Sequence, residues 1–230
     1  YRILGEFIKD ISAETKDIIN QAKKPFIVWG QGVILGNAEE EFKKFVEKSG
    51  IPAAWTILGL SALPTSHELN VGMVGMHGNY GPNILTNKCD LLIAVGMRFD
   101  DRVTGDPSSY ASQAKVIHLE IDPAEVDKNI KVDVPVIGNC KESLQMITNK
   151  IDKRSHKKWI SKFDDLMKIE FDKVIKSDLS PNKKGLTMGE SIIAINEFTN
   201  GDAIIVTDVG QHQMVACRYA NFIKSKSNIT

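Results

Sequence analysis

Apolar positions along this chain fall into two kinds of run. Short, continuous runs rich in branched and aromatic residues read as strands buried on both faces: 26–29, 51–57, 89–95, 115–121 and 132–137. Between them lie stretches with helical spacing. Ser12 caps a helix reaching Lys24, where Pro25 stops it. Asn37 caps another through Ser49, with Phe42, Phe45 and Val46 on one face and Gly50 as its stop. Asp122-Pro-Ala-Glu opens a short helix with Asp122 as N-cap, and 140–151 is helical. Strands alternating with helices over short connections predict a parallel sheet covered on both faces. Residues 59–88, rich in glycine, proline and asparagine, fit neither period. A loop that long inside a compact domain is usually functional.

Past residue 152 the pattern changes. An amphipathic helix over 157–176 carries Trp159, Phe163, Met167 and Val174, and the polar stretch 177–185 reads as a linker. A helix at 187–198, a strand at 203–206, a turn at Thr207-Asp-Val-Gly210 and a helix beginning Gln211-His-Gln-Met214 follow. The predicted organisation is therefore an α/β domain over 1–152, a linker with an amphipathic helix over 153–185, and the start of a truncated second α/β domain over 186–230. Apolar faces on the 157–176 helix and the last βα unit are expected to stand exposed.

Composition narrows the function. Lysine plus arginine and aspartate plus glutamate number 29 each, so no net field attracts nucleic acid or an anionic membrane. No apolar run approaches the roughly 20 residues that a spanning helix needs. The lysines of 153–158 read as a solvated face. Cys89, Cys140 and Cys217 are scattered, which argues for reduced thiols, a cytoplasmic protein and no zinc site. The start, Tyr1-Arg-Ile-Leu-Gly-Glu, lacks both a signal sequence and an initiator methionine, so a longer parent chain is expected.

Candidate chemistry gathers at the carboxyl ends of the strands, where open α/β sheets bind ligands. The segment Gly96-Met-Arg-Phe-Asp-Asp-Arg-Val-Thr-Gly105 crowds two arginines and two carboxylates into Arg98–Arg102. Arginine forks suit phosphate, while a solvated loop with internal ion pairs is the plainer reading. Glu120 follows Gly96 by 24 positions, about the interval at which a carboxylate meets ribose hydroxyls while a glycine turn faces a pyrophosphate. Gly30-x-Gly32-x-x-x-Gly36 is a loose dinucleotide fingerprint, equally readable as a plain glycine turn. Gly75-Met-His-Gly-Asn-Tyr-Gly-Pro-Asn83 would press backbone and the His77 ring against a flat ligand. His118, inside a strand, reads as a hydrogen-bonded core histidine. Gly201-Asp202 with Asn228 only imitates a magnesium motif, because residue 203 is alanine and the aspartate precedes its strand.

The strings Thr56-Ile-Leu-Gly-Leu, Gly72-Met-Val-Gly-Met-His-Gly, Arg98-Phe-Asp-Asp-Arg-Val-Thr-Gly105, Ile121-Asp-Pro-Ala-Glu and Thr207-Asp-Val-Gly-Gln-His-Gln-Met214, in this order, resemble the catalytic (large) subunit of acetolactate synthase, also called acetohydroxyacid synthase. That family joins two 2-ketoacids (pyruvate with pyruvate or 2-ketobutyrate) with loss of CO2, opening branched-chain amino acid synthesis. It uses thiamine diphosphate and Mg2+, and its middle domain carries an FAD with no redox part in the main reaction. The resemblance implies a six-stranded parallel sheet over 1–152 with FAD contacts at Gly30, Gly32, Thr56, Ile57, Leu58, His77, Gly78, Gly96, Arg98, Asp100, Val103, Glu120, Ile121 and Asn139. Arg102 would look toward the active site, and Gly210, Gln211 and His212 would help hold thiamine diphosphate. Two departures stand out: Gly30-Gln31-Gly32 replaces three consecutive glycines, and Gly138-Asn139 replaces Gly-Asp. The family's catalytic glutamate belongs to a preceding domain and its metal motif to a later one. These 230 residues are therefore expected to be inactive alone, within a homo-oligomer that binds a small regulatory subunit. Another thiamine-diphosphate carboligase or oxidase, or a stand-alone nucleotide-binding module, are the alternative readings.

Overall fold

The computed structural model describes residues 12–180 and 185–230. Strands β1 (Pro25–Trp29), β2 (Ala53–Trp55), β3 (Asn70–Met73), β4 (Leu91–Val95), β5 (Lys115–Glu120) and β6 (Val134–Ile137) form one sheet in the order β3-β2-β1-β4-β5-β6. Every pairing is parallel. This is the six-stranded α/β sheet that the resemblance implies. β1 and β4, buried at all five positions each, lie centrally, because residues apolar on both sides need cover on both faces.

That cover comes from helices of amphipathic pattern. On one face α1 (Ala13–Gln21), α3 (Glu39–Ser49) and α6 (Cys140–Lys150) bring Ile19, Phe42, Phe45, Leu144 and Ile147 against Trp29, Ile93 and Ile117. On the other, α4 (Tyr80–Thr86) and α7 (Lys157–Glu170) pack Leu85, Trp159 and Phe163 against Phe26, Val28 and Leu92. The short helices α2 (Gly32–Leu35) and α5 (Asp101–Thr104) follow β1 and β4. Beyond α7 the chain continues through a π-turn at Phe171–Ile175 into α8 (Lys176–Leu179), then α9 (Met188–Thr199), β7 (Ile205–Val206), α10 (Gln211–Tyr219) and β8 (Asn228–Ile229). β7 and β8 pair in parallel as a separate two-stranded sheet. Thr187 and Glu190 close a capping box at the start of α9. Phe222 seats this segment on the main body, being fully buried in the α3–α6 face cluster.

Several expectations needed correction. Residues 59–88 contain β3 and α4. Asn37 does not cap a helix through Ser49: it adopts φ 48°, closing α2, and Ala38 precedes α3 with no side-chain cap. The strand at 51–57 shortens to Ala53–Trp55, since the backbone turns into a 3₁₀ turn at Ile57–Gly59. The helix at 157–176 is regular only to Glu170. As expected, Ser12 caps α1, Asp122 accepts from the Ala124 N–H at 2.9 Å, and all three cysteines are free. Large apolar side chains stand exposed on the last segments, Phe198 at 90% and Val209 at 84%. No helix among the described residues is long and apolar enough to cross a membrane.

Phe163 is fully buried, with its ring 5.2 Å from Phe26 and 5.3 Å from Trp159, whose indole N–H reaches the Pro25 carbonyl at 2.9 Å. Phe163→Ala should cost about 3–5 kcal/mol in a urea titration. A loss under about 1 kcal/mol would mean that α7 does not close that face of the sheet.

Candidate functional site

The strand ends line up because each exit residue extends the ladder by one hydrogen bond. Thr56 N donates to Trp29 O (2.9 Å), Gly30 N to Val95 O (3.0 Å), Gly96 N to Leu119 O (2.9 Å) and Gly138 N to Glu120 O (2.9 Å). Positions 30, 56, 96, 120 and 138 thus form a row along one edge of the sheet. Above the row opens a cleft of about 620 Å³, a size common for cofactor sites.

Glycine sets its floor. Gly32 N donates to Gly96 O at 2.8 Å, and a Cβ on Gly32 would lie 2.6 Å from the Gly96 Cα. A Cβ on Gly30 would lie 2.5 Å from the Gly96 carbonyl oxygen. Gly96 itself has φ 57°, and a Cβ on it would lie 2.7 Å from the Gly32 Cα. These glycines are required first by the meeting of two turns, because any side chain would force the loops apart.

The walls carry the charge. Glu120 is buried, and its Oε1 accepts from the N–H groups of Ile121 (2.8 Å) and Asp122 (3.2 Å). Its Oε2 faces His118 Nε2 at 3.6 Å, and the same nitrogen donates to Met97 O at 2.9 Å. Burial alone raises the Glu120 pKa. The hydrogen bonds from His118 and the two backbone N–H groups outweigh it and hold the carboxyl below its usual value. His118 is thus the core histidine expected, fully buried and stacked 4.9 Å from Phe99. Asp100 caps α5 through the Arg102 N–H (3.1 Å) and pairs with Arg98 at 3.3 Å. The backbone bond from Arg102 leads the causes that keep Asp100 below the ordinary aspartate range. Arg98 and Arg102 remain exposed at the rim. Asn139 caps α6 by accepting from Lys141 N at 2.9 Å, which places a helix N-terminus at the cleft. Burial pushes the Cys140 thiol up to about 12, so it lines the wall as a neutral group.

Thirteen of the eighteen sequence-predicted residues line this one cleft: Gly30, Gly32, Thr56, Ile57, Leu58, Gly96, Arg98, Asp100, Arg102, Val103, Glu120, Ile121 and Asn139. Five do not. His77 and Gly78 sit on the neighbouring loop, joined to the rim where Met76 N donates to Arg102 O at 2.8 Å. Gly210, Gln211 and His212 lie at the start of α10, outside the cleft lining, and the same segment reaches the cleft where Asn228 Nδ2 lies 3.5 Å from the Ile57 carbonyl. Sequence reasoning passed over Leu35, Met97, Leu119 and Cys140, while Gln31, Gly36 and Gly138, named there only within glycine motifs, also line the cleft. Most of them directly flank residues it did single out, so the exits of the strands were the available signal. Among the described residues, no group of three or more histidine, cysteine, aspartate or glutamate side chains is placed to hold a metal ion.

Fold and cleft together define a doubly wound α/β domain with an open cleft where the strand order reverses, between β1 and β4. Residues 12–147 match the model of the thiamine pyrophosphate enzyme central domain, and the chain belongs to that family. It is similar to the acetolactate synthase large subunit of Lactococcus lactis, 39% identical over 214 residues that cover 92% of this chain and 36% of the relative. The probable acetolactate synthase large subunit of Methanococcus aeolicus is 40% identical over 215 residues, covering 88% and 36%. Acetolactate synthase 2, chloroplastic, of Nicotiana tabacum is 37% identical over 224 residues, covering 93% and 32%. The chain spans about a third of the length of these curated relatives.

A carboxylate held below its unfolded value contributes stability that is present above that value and lost as pH falls through the folded one. Glu120 should therefore stabilise the fold at neutral pH and lose that contribution progressively as pH falls below about 4.5, its ordinary value. Glu120→Gln should flatten the fall in stability between neutral pH and pH 3, read from urea midpoints at several pH values. Parallel curves for wild type and variant would contradict the assignment.

Proposed function

We propose that the cleft binds FAD and that the chain is the middle-domain portion of an acetolactate synthase large subunit. In this reading residues 1–152 are the FAD domain, 153–185 a linker with an amphipathic helix, and 186–230 the start of the thiamine-diphosphate-binding domain. The observation that carries it is the cleft itself, which collects glycine turns, two exposed arginines and an ionised buried glutamate at the reversal of strand order. The residues fit a dinucleotide. Arg98, Arg102 and the α6 N-terminus would take the pyrophosphate, because both the guanidinium forks and the orphan N–H groups of a helix start favour anions. Glu120 would accept from ribose hydroxyls through Oε2, its other oxygen being occupied by backbone. Thr56, Ile57, Leu58, Val103 and Ile121 would flank the rings, with His77 and Gly78 closing from the adjacent loop.

Gly210, Gln211 and His212, at the start of α10, would contact the diphosphate of thiamine diphosphate. When bound, that cofactor supplies the carbanion chemistry by which a 2-ketoacid loses CO2 and joins a second one. The Mg2+ of this reading draws no ligand set from the described residues. Substrates would be pyruvate and 2-ketobutyrate, within a cytoplasmic homo-oligomer that associates with a small regulatory subunit.

The test is a flavin-fluorescence titration of this chain, with ADP and NAD as competitors. FAD should bind more tightly than NAD. Arg98→Ala should weaken FAD about tenfold, or ~1.4 kcal/mol, and Gly32→Val should abolish binding by pushing the two turns apart. Equal affinity for FAD and NAD would overturn the assignment. Supplied with pyruvate, thiamine diphosphate and Mg2+, the 230 residues should form no acetolactate in a colorimetric assay.

A further inference from the structure

A second buried carboxylate lies away from the cleft and is held by three donors. Glu170, at the end of α7, is 4% exposed at its side chain. Its Oε1 accepts from Asn79 Nδ2 (3.1 Å) and Arg218 Nη1 (2.7 Å), and its Oε2 accepts from Tyr80 N (2.9 Å). Tyr80 is the first residue of α4, so a carboxylate 90 residues away in sequence satisfies that helix start. Arg218, on α10, turns its other nitrogen toward the carbonyls of His77 (3.5 Å) and Gly78 (3.4 Å). One guanidinium thus grips a buried anion and the loop beside the cleft together.

That loop is tied to itself by hydrogen bonds. Asn83 bonds both the N–H and the carbonyl of Gly75 at 2.9 Å, and Gly78 N closes on Gly75 O at 2.9 Å. At its far side it meets the rim without slack. Met76 N donates to Arg102 O at 2.8 Å, and a Cβ on Gly75 would fall 2.6 Å from the same oxygen. At the other end, α10 carries Arg218 seven residues after Gln211, about 10 Å along the helix axis.

We propose that Glu170 and Arg218 are positioning residues that form a clamp, through which the Gly210–His212 end of α10 sets the 75–79 loop and, by way of Met76, the Arg102 rim. The path is contiguous, each link being a hydrogen bond or a packed contact, which is the physical requirement for coupling along it. An arginine is needed because its planar fork serves the carboxylate and the carbonyls at once, whereas a lysine ammonium is a single point. Only the clamp's effect on cofactor affinity rests on the nucleotide reading of the cleft.

The test combines hydrogen–deuterium exchange with FAD titration on the whole chain. Arg218→Ala and Arg218→Lys should each raise amide exchange in residues 75–83 and weaken FAD about fivefold. Glu170→Gln should do the same, and the double variant should do no worse than either single one. If Glu170→Gln fails to fold, Arg218→Lys carries the test alone. Changed exchange confined to α10, with residues 75–83 as in wild type, would overturn the clamp. Should wild type refuse FAD while residues 75–83 loosen as expected, the nucleotide reading fails and the clamp stands.

Discussion

Where the strand order turns round, between β1 and β4, two loops meet backbone to backbone. The Gly32 N–H reaches the Gly96 carbonyl, and neither residue leaves space for a methyl group. Parallel strands emerging side by side would normally be separated by their first loop residues. Here that separation is removed, so the β1 and β4 turns form one continuous floor and the cleft opens above it. The ladder bonds at Thr56, Gly30, Gly96 and Gly138 then hold five strand exits in a row against that floor. The rim groups stand where they do because this contact is closed.

Two buried carboxylates show how the fold uses charge. Glu120 and Glu170 are both almost wholly enclosed, and neither relies on a lone counter-ion. Each takes backbone N–H groups that would otherwise go unpaired, two for Glu120 and one for Glu170, and adds a side chain from elsewhere, His118 or Arg218. Desolvating an anion is costly unless every lone pair is used. Meeting that requirement with backbone has a structural result: the loop after β5 and the start of α4 are fixed by the same carboxylate oxygens.

Much of the architecture was legible because β1 and β4 announce themselves as unbroken apolar runs that only a doubly covered sheet can bury. β3 escaped because it is an edge strand with alternate half-exposed positions, written Asn-Val-Gly-Met inside a stretch full of turn residues. α4 escaped because Gly81 and Pro82, ordinarily read as breakers, occupy its first turn, where proline costs least. The cleft was traceable to the strand exits, since Gly96 and Glu120 lie on neighbouring strands. The clamp was not: Glu170 and Arg218 belong to separate helices, and nothing local marks either as buried or paired. Gly96 also meets a need that was not read into it, the close approach of the Gly32 turn.

Gln31 occupies an unusual position in this frame. Its neighbours Gly30 and Gly32 are fixed by hard contact, yet Gln31 itself is exposed and lines the cleft. Its side chain lies outside the hard contacts that close the seam beneath it. Should the cleft hold the proposed nucleotide, ligand preference and scaffold integrity are separable at this single codon.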